Sequence, residues 1–257
     1  MRREAGEKMQ NRYTGDIGDY SKLGLLRALQ SAGFSIGLNW YLTPDETHNS
    51  DGRHVDYLHQ DEYRSCDPDL WLGLKAIVDG KNREVCYLEN DDILQATFFS
   101  DCLDFSDDDG CGKRKCKPKA ERTALRGDWF GRSLARLAGK NIVCVDPDNG
   151  LVVPSAKGRP KENKYVLPEE LARYYAQGST VVYYQHKARR KDPFYTDQLK
   201  ALLRREDLPG ASALALKFEK VSQRYYMFIV QPSHREMVEK SVKDMLSTSW
   251  GEHFRQL

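Results

Sequence analysis

The sequence predicts an α/β fold: a Rossmann-like, mostly parallel sheet with helices on both faces and a C-terminal antiparallel hairpin. Two observations carry this expectation. Short apolar runs alternate with amphipathic stretches through most of the chain, and the last two apolar runs are separated by only a few polar residues. At 257 residues, the chain lies near the upper end of what one hydrophobic core organises, so residues 1–257 are expected to form a single domain.

A first helix is expected from about Asp19 to Gln30, because Tyr20, Leu23, Leu26 and Leu29 recur at helical spacing, with Leu25 beside them and Gly33 as a stop. The run Ile36 to Leu42, containing Gly37 and followed by Pro44, reads as a buried strand. Pro68 to Val78 reads as a helix with Asp67 as N-cap and Gly80 as stop. Glu84 to Leu88 reads as a second strand, ending at Glu89. Residues 104–121, FSDDDGCGKRKCKPKAER, swing from acidic to basic and offer almost nothing to bury, which suggests an exposed insertion. Further on, Leu125 to Leu137 reads as a helix, Ile142 to Val145 as a strand and residues 147–164 as a long polar loop. Pro168 to Gln177 (helix), Thr180 to Tyr184 (strand) and Pro193 to Arg204 (helix) continue the alternation. Ala213 to Phe218 and Arg224 to Val230 then form the hairpin, which puts one antiparallel strand at the sheet end. A helix from about Ser233 to Leu246 follows it.

Lys and Arg total 40 against 38 acidic residues, a net charge of +2, so nucleic acid would have to be met by a local patch rather than a global field. No stretch reaches the roughly 18 apolar residues of a membrane span, and MRREAGEKMQ lacks the apolar core of a secretory signal. A soluble, cytoplasmic protein without a membrane partner is expected. The six cysteines are scattered, which does not suggest a disulfide framework. Cys86 and Cys144 sit in apolar runs as small buried thiols, and Cys102, Cys111 and Cys116 lack a close pair for zinc.

In a doubly wound sheet, ligands bind beyond the carboxyl ends of the strands, so the polar residues there are the candidates for chemistry. Asp146-Pro147-Asp148-Asn149-Gly150 follows a buried strand; it has turn geometry, and it also sets a carboxylate on a rigid element. Tyr13 to Lys22, YTGDIGDYSK, places Asp16 and Asp19 where they can cap a helix. Lys22 lies in the first turns of the same helix, where a cation opposes the dipole and asks for an anionic partner. Thr43 to His54 collects His48, Asn49, Asp51, Arg53 and His54 in one turn-rich loop. Tyr184 and His186 end a strand just before the basic run Lys187, Arg189, Arg190 and Lys191; aromatic and basic residues together can stack on bases and neutralise phosphates.

The segments YTGDIGDYSKLGLLRAL, NWYLTPDE, NSDGRHVDYL, VDPDNGL and KYV together resemble a family of bacterial proteins of unassigned activity. More distantly, the order of parts is similar to class I S-adenosylmethionine-dependent methyltransferases, particularly the ribosomal-RNA adenine-N6 enzymes of the RlmJ type. Those enzymes have a Gly-Asn/Asp-Lys helix start, a central strand ending in Asp-Pro-Pro-Tyr and a sheet closed by an antiparallel hairpin. The resemblance implies that Lys22 faces the cofactor carboxylate and that Glu89 takes the ribose hydroxyls; Asp16 and Asp19, at the same helix start, are expected on the cofactor-binding side with Lys22. It implies that Asp146, Asp148 and Asn149 form the catalytic segment that holds a target amine; Tyr184, His186, Arg189 and Arg190 are expected to bind the substrate through the stacking and phosphate contacts just described. The sequence departs from that pattern at two places: Thr43-Pro44-Asp45-Glu46 stands where a Gly-rich turn would approach the cofactor, and Asn149 stands where an aromatic would stack on the base.

Three function classes follow. The first is a methyltransferase-like enzyme that uses S-adenosylmethionine on nucleic acid or a nucleotide. The second is a metal-dependent nuclease or phosphoesterase in which Asp16, Asp19, Asp51, Asp146 and Asp148 offer oxygen ligands to Mg²⁺ or Mn²⁺. The third is a non-catalytic binding module on the same fold.

Overall fold

A computed structural model describes residues 13–44, 54–81, 83–90, 92–108 and 114–257. In chain order its elements are helix α1 (Ile17–Ser31), strand β1 (Ile36–Asn39), the one-turn helix α2 (Asp61–Arg64), α3 (Pro68–Asp79), β2 (Ala96–Phe99), β3 (Ser106–Asp108), β4 (Arg114–Cys116), α4 (Lys119–Arg136), β5 (Ile142–Val145), β6 (Gly150–Leu151), β7 (Tyr165–Val166), α5 (Pro168–Ala176), β8 (Thr180–His186), α6 (Asp192–Leu202), β9 (Ser212–Phe218), β10 (Arg224–Val230), α7 (Arg235–Leu246) and β11 (Phe254–Gln256). Short 3₁₀ turns fill several of the connections.

Seven strands form one sheet in the order β11-β9-β10-β8-β5-β1-β2. β2, β1, β5 and β8 run parallel, and β10, β9 and β11 add antiparallel pairings at one side. Every residue of β1 and β5 is buried, as expected for central parallel strands covered on both faces. Side chains alternate between two cores. Leu38, Cys144, Val182 and Phe228 pack with α1, α3 and α7, whereas Val143, Val145, Val181 and Met227 pack with α4, α5 and α6. Helices therefore cover both faces, and the α/β expectation holds. Among the described residues no helix is long and apolar enough to cross a membrane.

Local chemistry explains the element that carries the site. Asp16 caps α1 by accepting hydrogen bonds from the Gly18 and Asp19 N–H groups, and the glycine after its end, Gly33, has φ +98°. Within α1, a Cβ on Gly24 would lie 2.3 Å from the Trp250 ring, so the glycine lets α1 lie directly on that indole.

Four expectations need correction. Glu84 to Leu88 is not a strand: Val85–Tyr87 is a 3₁₀ turn. Val85 and Leu88 are buried three residues apart while Cys86 and Tyr87 between them are exposed, a one-faced turn that a short apolar run cannot reveal by periodicity alone. The second strand is Ala96–Phe99 instead. The insertion at 104–121 is only partly a solvated excursion, because Phe105 is buried in the second core, β3 pairs with β4 as a ribbon, and α4 already begins at Lys119. The polar loop after β5 holds the small parallel pair β6–β7. Finally, the antiparallel end is larger than one hairpin, since β11 joins β9 as a further edge strand.

Candidate functional site

β1, β5 and β8 are parallel neighbours, so their carboxyl ends open on one edge of the sheet. Asp146 follows β5 there, with its N–H donated to the Asn39 carbonyl at 3.0 Å. Across the edge, α1 delivers Lys22. Its ammonium is only 4% exposed, donates to Asp19 Oδ1 at 2.8 Å, makes a short contact to Asp146 Oδ2 and lies 4.3 Å from the centre of a Trp40 ring. Burial by itself would discharge this lysine; the carboxylates of Asp146 and Asp19 outweigh it and hold the ammonium charged, well above its usual range. The anionic partner that the sequence asks for at Lys22 is thus supplied by the protein itself.

Burial raises the carboxyl pKa of Asp146 despite the opposing pull of Lys22. Asp16 is raised for the same reason, against the field of Arg224. Arg224 begins β10 and is 6% exposed; among the described residues its guanidinium makes one hydrogen bond, from Nε to the Ser222 carbonyl at 3.0 Å. Sequence reasoning passed over Arg224, although a charge at the head of the otherwise uncharged RYYMFIV is a signal that could have found it.

These groups line a cleft of about 570 Å³ together with Tyr13, His54, Pro147, Asp148, Asn149, Lys161, Lys164, Tyr165, Tyr184 and His186. Asp148 pairs with Lys164 at 3.3 Å. The loop that carries it is pinned by Gln185 on β8, which accepts the Leu151 N–H at 2.9 Å and donates to the Asn149 carbonyl at 3.1 Å. A Cβ on Gly150, whose φ is +95°, would meet Gln185 Oε1 at 2.4 Å, so this contact requires glycine. Burial pushes the Tyr184 hydroxyl up to about 12, and the phenol meets His186 Nδ1 at 3.4 Å.

Of the residues singled out in the sequence, Asp16, Asp19, Lys22, Asp146, Asp148, Asn149, Tyr184 and His186 therefore meet in one cleft. Glu89 does not. It closes the 3₁₀ turn through its N–H to the Val85 carbonyl, lies at no strand end among the described residues, and keeps a buried Oε1 without a hydrogen-bond partner among them. Arg189 and Arg190 also lie outside, in a separate depression of about 630 Å³ with Lys187, Lys191 and Lys217. The hairpin between β9 and β10 separates the two, with Ser222 and Arg224 on the cleft and Gln223 on the depression. Asp51, with His48, Asn49 and Arg53, lies outside the described residues. Among the described residues, no three His, Cys, Asp or Glu side chains are grouped to hold a metal ion; Asp19 and Asp146 instead share the Lys22 ammonium.

The turn after β1 is where a nucleotide cofactor would approach in a doubly wound fold. Here Tyr41 takes φ +50° without being glycine, and it is held by its N–H to Asn39 Oδ1, 2.9 Å, and by its hydroxyl to Glu170 Oε2, 2.7 Å. Glu170 in turn takes Arg126 Nε and Nη2 at 2.7 and 2.8 Å. Trp40, Tyr41 and Leu42 are all buried. The recess they border, with Thr14, Val85 and the aspartates of the cleft floor, measures about 50 Å³, whereas pockets for ligands of cofactor size run to about 300–1,000 Å³.

No protein-family model matches the chain, and no curated protein matches it. A crystal structure of a Legionella pneumophila str. Philadelphia 1 protein assigned to the family DUF519 is similar over 95% of this chain and 96% of that one, at 10% sequence identity and a TM-score of 0.44.

Proposed function

We propose that this chain is an enzyme that binds a nucleotide, or a nucleotide within a nucleic acid, in the cleft at the ends of β1, β5 and β8, and acts on it through Asp146. The observation that carries the reading is the floor of the cleft, where the buried Lys22 ammonium bridges Asp19 and Asp146. A carboxylate whose proton affinity is raised by burial is suited to take up a proton from a substrate N–H or O–H and return it. Lys22 holds that carboxylate in place and balances its charge as the proton moves.

The walls supply what a nucleotide needs. Tyr13, Tyr165 and Tyr184 offer aromatic faces, and Lys161, Lys164 and Arg224 offer positive charge for phosphate. Methyl transfer is the reaction that the methyltransferase resemblance implies, and no step here is routed through its cofactor. The test is calorimetric titration of the full chain with AMP, CMP, GMP, UMP and a short single-stranded RNA, with S-adenosylmethionine and Mn²⁺ titrated separately. Saturable nucleotide binding that is lost in Arg224→Ala is expected. Absence of binding to every nucleotide and to the RNA would overturn the reading, and binding without any chemical change in the ligand would reduce it to a binding module.

A further inference from the structure

Behind the floor of the cleft lies the recess of about 50 Å³ bordered by Thr14, Trp40, Asp19, Asp146 and Asp148. Thr14 is 1% and Trp40 4% exposed, and Thr14 Oγ1 and Trp40 Nε1 are buried atoms with no hydrogen-bond partner among the described residues. A buried polar atom left unpaired costs about 1–3 kcal/mol, and an indole N–H usually finds an acceptor when it is buried. Two such atoms on one small recess that also borders the central carboxylate of a cleft point to a ligand group rather than to two separate defects.

The chemistry of the lining selects that group. Trp40 Nε1 only donates, so the group must carry a lone pair; an ammonium is excluded. Asp146 only accepts while ionised, so the group must also carry a hydrogen; carbonyl and phosphate oxygens are excluded. Asp19 is already engaged through both oxygens, by Lys22 and by the Gly15 N–H at 2.9 Å, Asp148 pairs with Lys164, and Asp146 Oδ2 is taken by Lys22, which makes Asp146 Oδ1 the acceptor nearest the centre of the cleft floor that no hydrogen bond among the described residues occupies. A water needs about 10–15 Å³ of such space, so the recess has room for a hydroxyl.

We infer that the recess is a subsite for one hydroxyl oxygen, which accepts hydrogen bonds from Trp40 Nε1 and Thr14 Oγ1 and donates one to Asp146. The oxygen belongs to a water molecule or to a ribose hydroxyl of the nucleotide, and this second source rests on the proposed function. In either case it is the O–H placed against the proton-accepting carboxylate.

Two measurements test this. A high-resolution crystal structure of the full chain without nucleotide is expected to show an oxygen within hydrogen-bond distance of Trp40 Nε1, Thr14 Oγ1 and Asp146. A recess without ordered density, together with unchanged melting temperatures in Trp40→Phe and Thr14→Val, would overturn the inference. Titration with AMP and 2′,3′-dideoxy-AMP then identifies the source. At least tenfold weaker binding of the dideoxy compound by the wild type, with the difference abolished in Trp40→Phe, assigns the oxygen to ribose; equal affinities with the density retained assign it to water. If AMP does not bind at all, the nucleotide reading fails, and the crystallographic measurement still decides the recess.

Discussion

Arg224 occupies the space that a side chain at residue 18 would fill: a Cβ built on Gly18 would lie 1.8 Å from Arg224 Nη1. The first turn of α1 and the first residue of β10, 206 positions apart in sequence, are thus fitted to each other at the cleft.

Gly18→Ala is therefore expected to displace the guanidinium from the cleft floor. The atoms in the way are the ends of flexible side chains, so stability changes little, whereas AMP binding falls about as far as in Arg224→Ala. Chemical denaturation and calorimetry on the same preparations check both effects; an alanine variant with wild-type affinity would show that Arg224 has no part in the site.

Asp146→Asn keeps the shape of the side chain and removes its ability to take a proton. Lys22 retains Asp19 as a partner, so the fold should survive, as judged by circular dichroism and melting temperature. Turnover of the nucleotide identified by titration is expected to fall by about 10²–10⁴-fold, the range of general acid–base catalysis. A residue needed only for its turn would tolerate asparagine, which is itself a good turn former.

The Arg126–Glu170 pair is buried on both sides, at 6% exposure each, and Glu170 also takes the Tyr41 hydroxyl. Removing one charge strands the other, so Arg126→Leu should destabilise by about 3–5 kcal/mol. The double variant Arg126→Leu, Glu170→Leu should recover a large part of that loss. Urea denaturation of the three proteins measures the difference.

The depression holding Arg189 and Arg190 lies across the β9–β10 hairpin from the cleft, where a second phosphate of a polymer would pass. Reversing both charges to Glu should leave AMP affinity within about twofold. The same change should weaken single-stranded RNA binding and make the plot of log affinity against log salt shallower by about 1 to 2. Equal loss for AMP and RNA would place these arginines in the cleft itself.

His253 is buried, and its ring stacks on Tyr63 at 4.5 Å. Burial lowers its pKa below the ordinary imidazole value. The unfolded chain therefore binds this proton more readily than the folded protein does. The stability linked to it is fully present above about pH 6.5 and is lost as the pH falls from there toward the depressed folded value. His253→Phe, which keeps an aromatic ring in place, should flatten stability against pH in that window, as measured by urea midpoints between pH 7.5 and 5.

The order and kind of most elements could be read from the chain because they rest on local chemistry: helical spacing from Tyr20 to Leu29, Asp67 capping the helix that starts at Pro68, and fully apolar runs at Ile142–Val145 and Tyr225–Val230. Strand ends single out Asp146 and Tyr184, and the start of α1 points to Asp16 through capping and to Lys22 through the helix dipole. Pairings between distant residues had no local signature, and only the tertiary structure decided them. Lys22 is a buried cation with two protein carboxylates because β5 lies beside β1, under the start of α1. Glu89 lies off the site because the second strand is Ala96–Phe99, and Arg224 reaches the cleft because β10 inserts between β8 and β9. Sequence patterns report which face of an element is apolar. Which charges then meet at the edge of the sheet depends on strand order, which long-range packing sets.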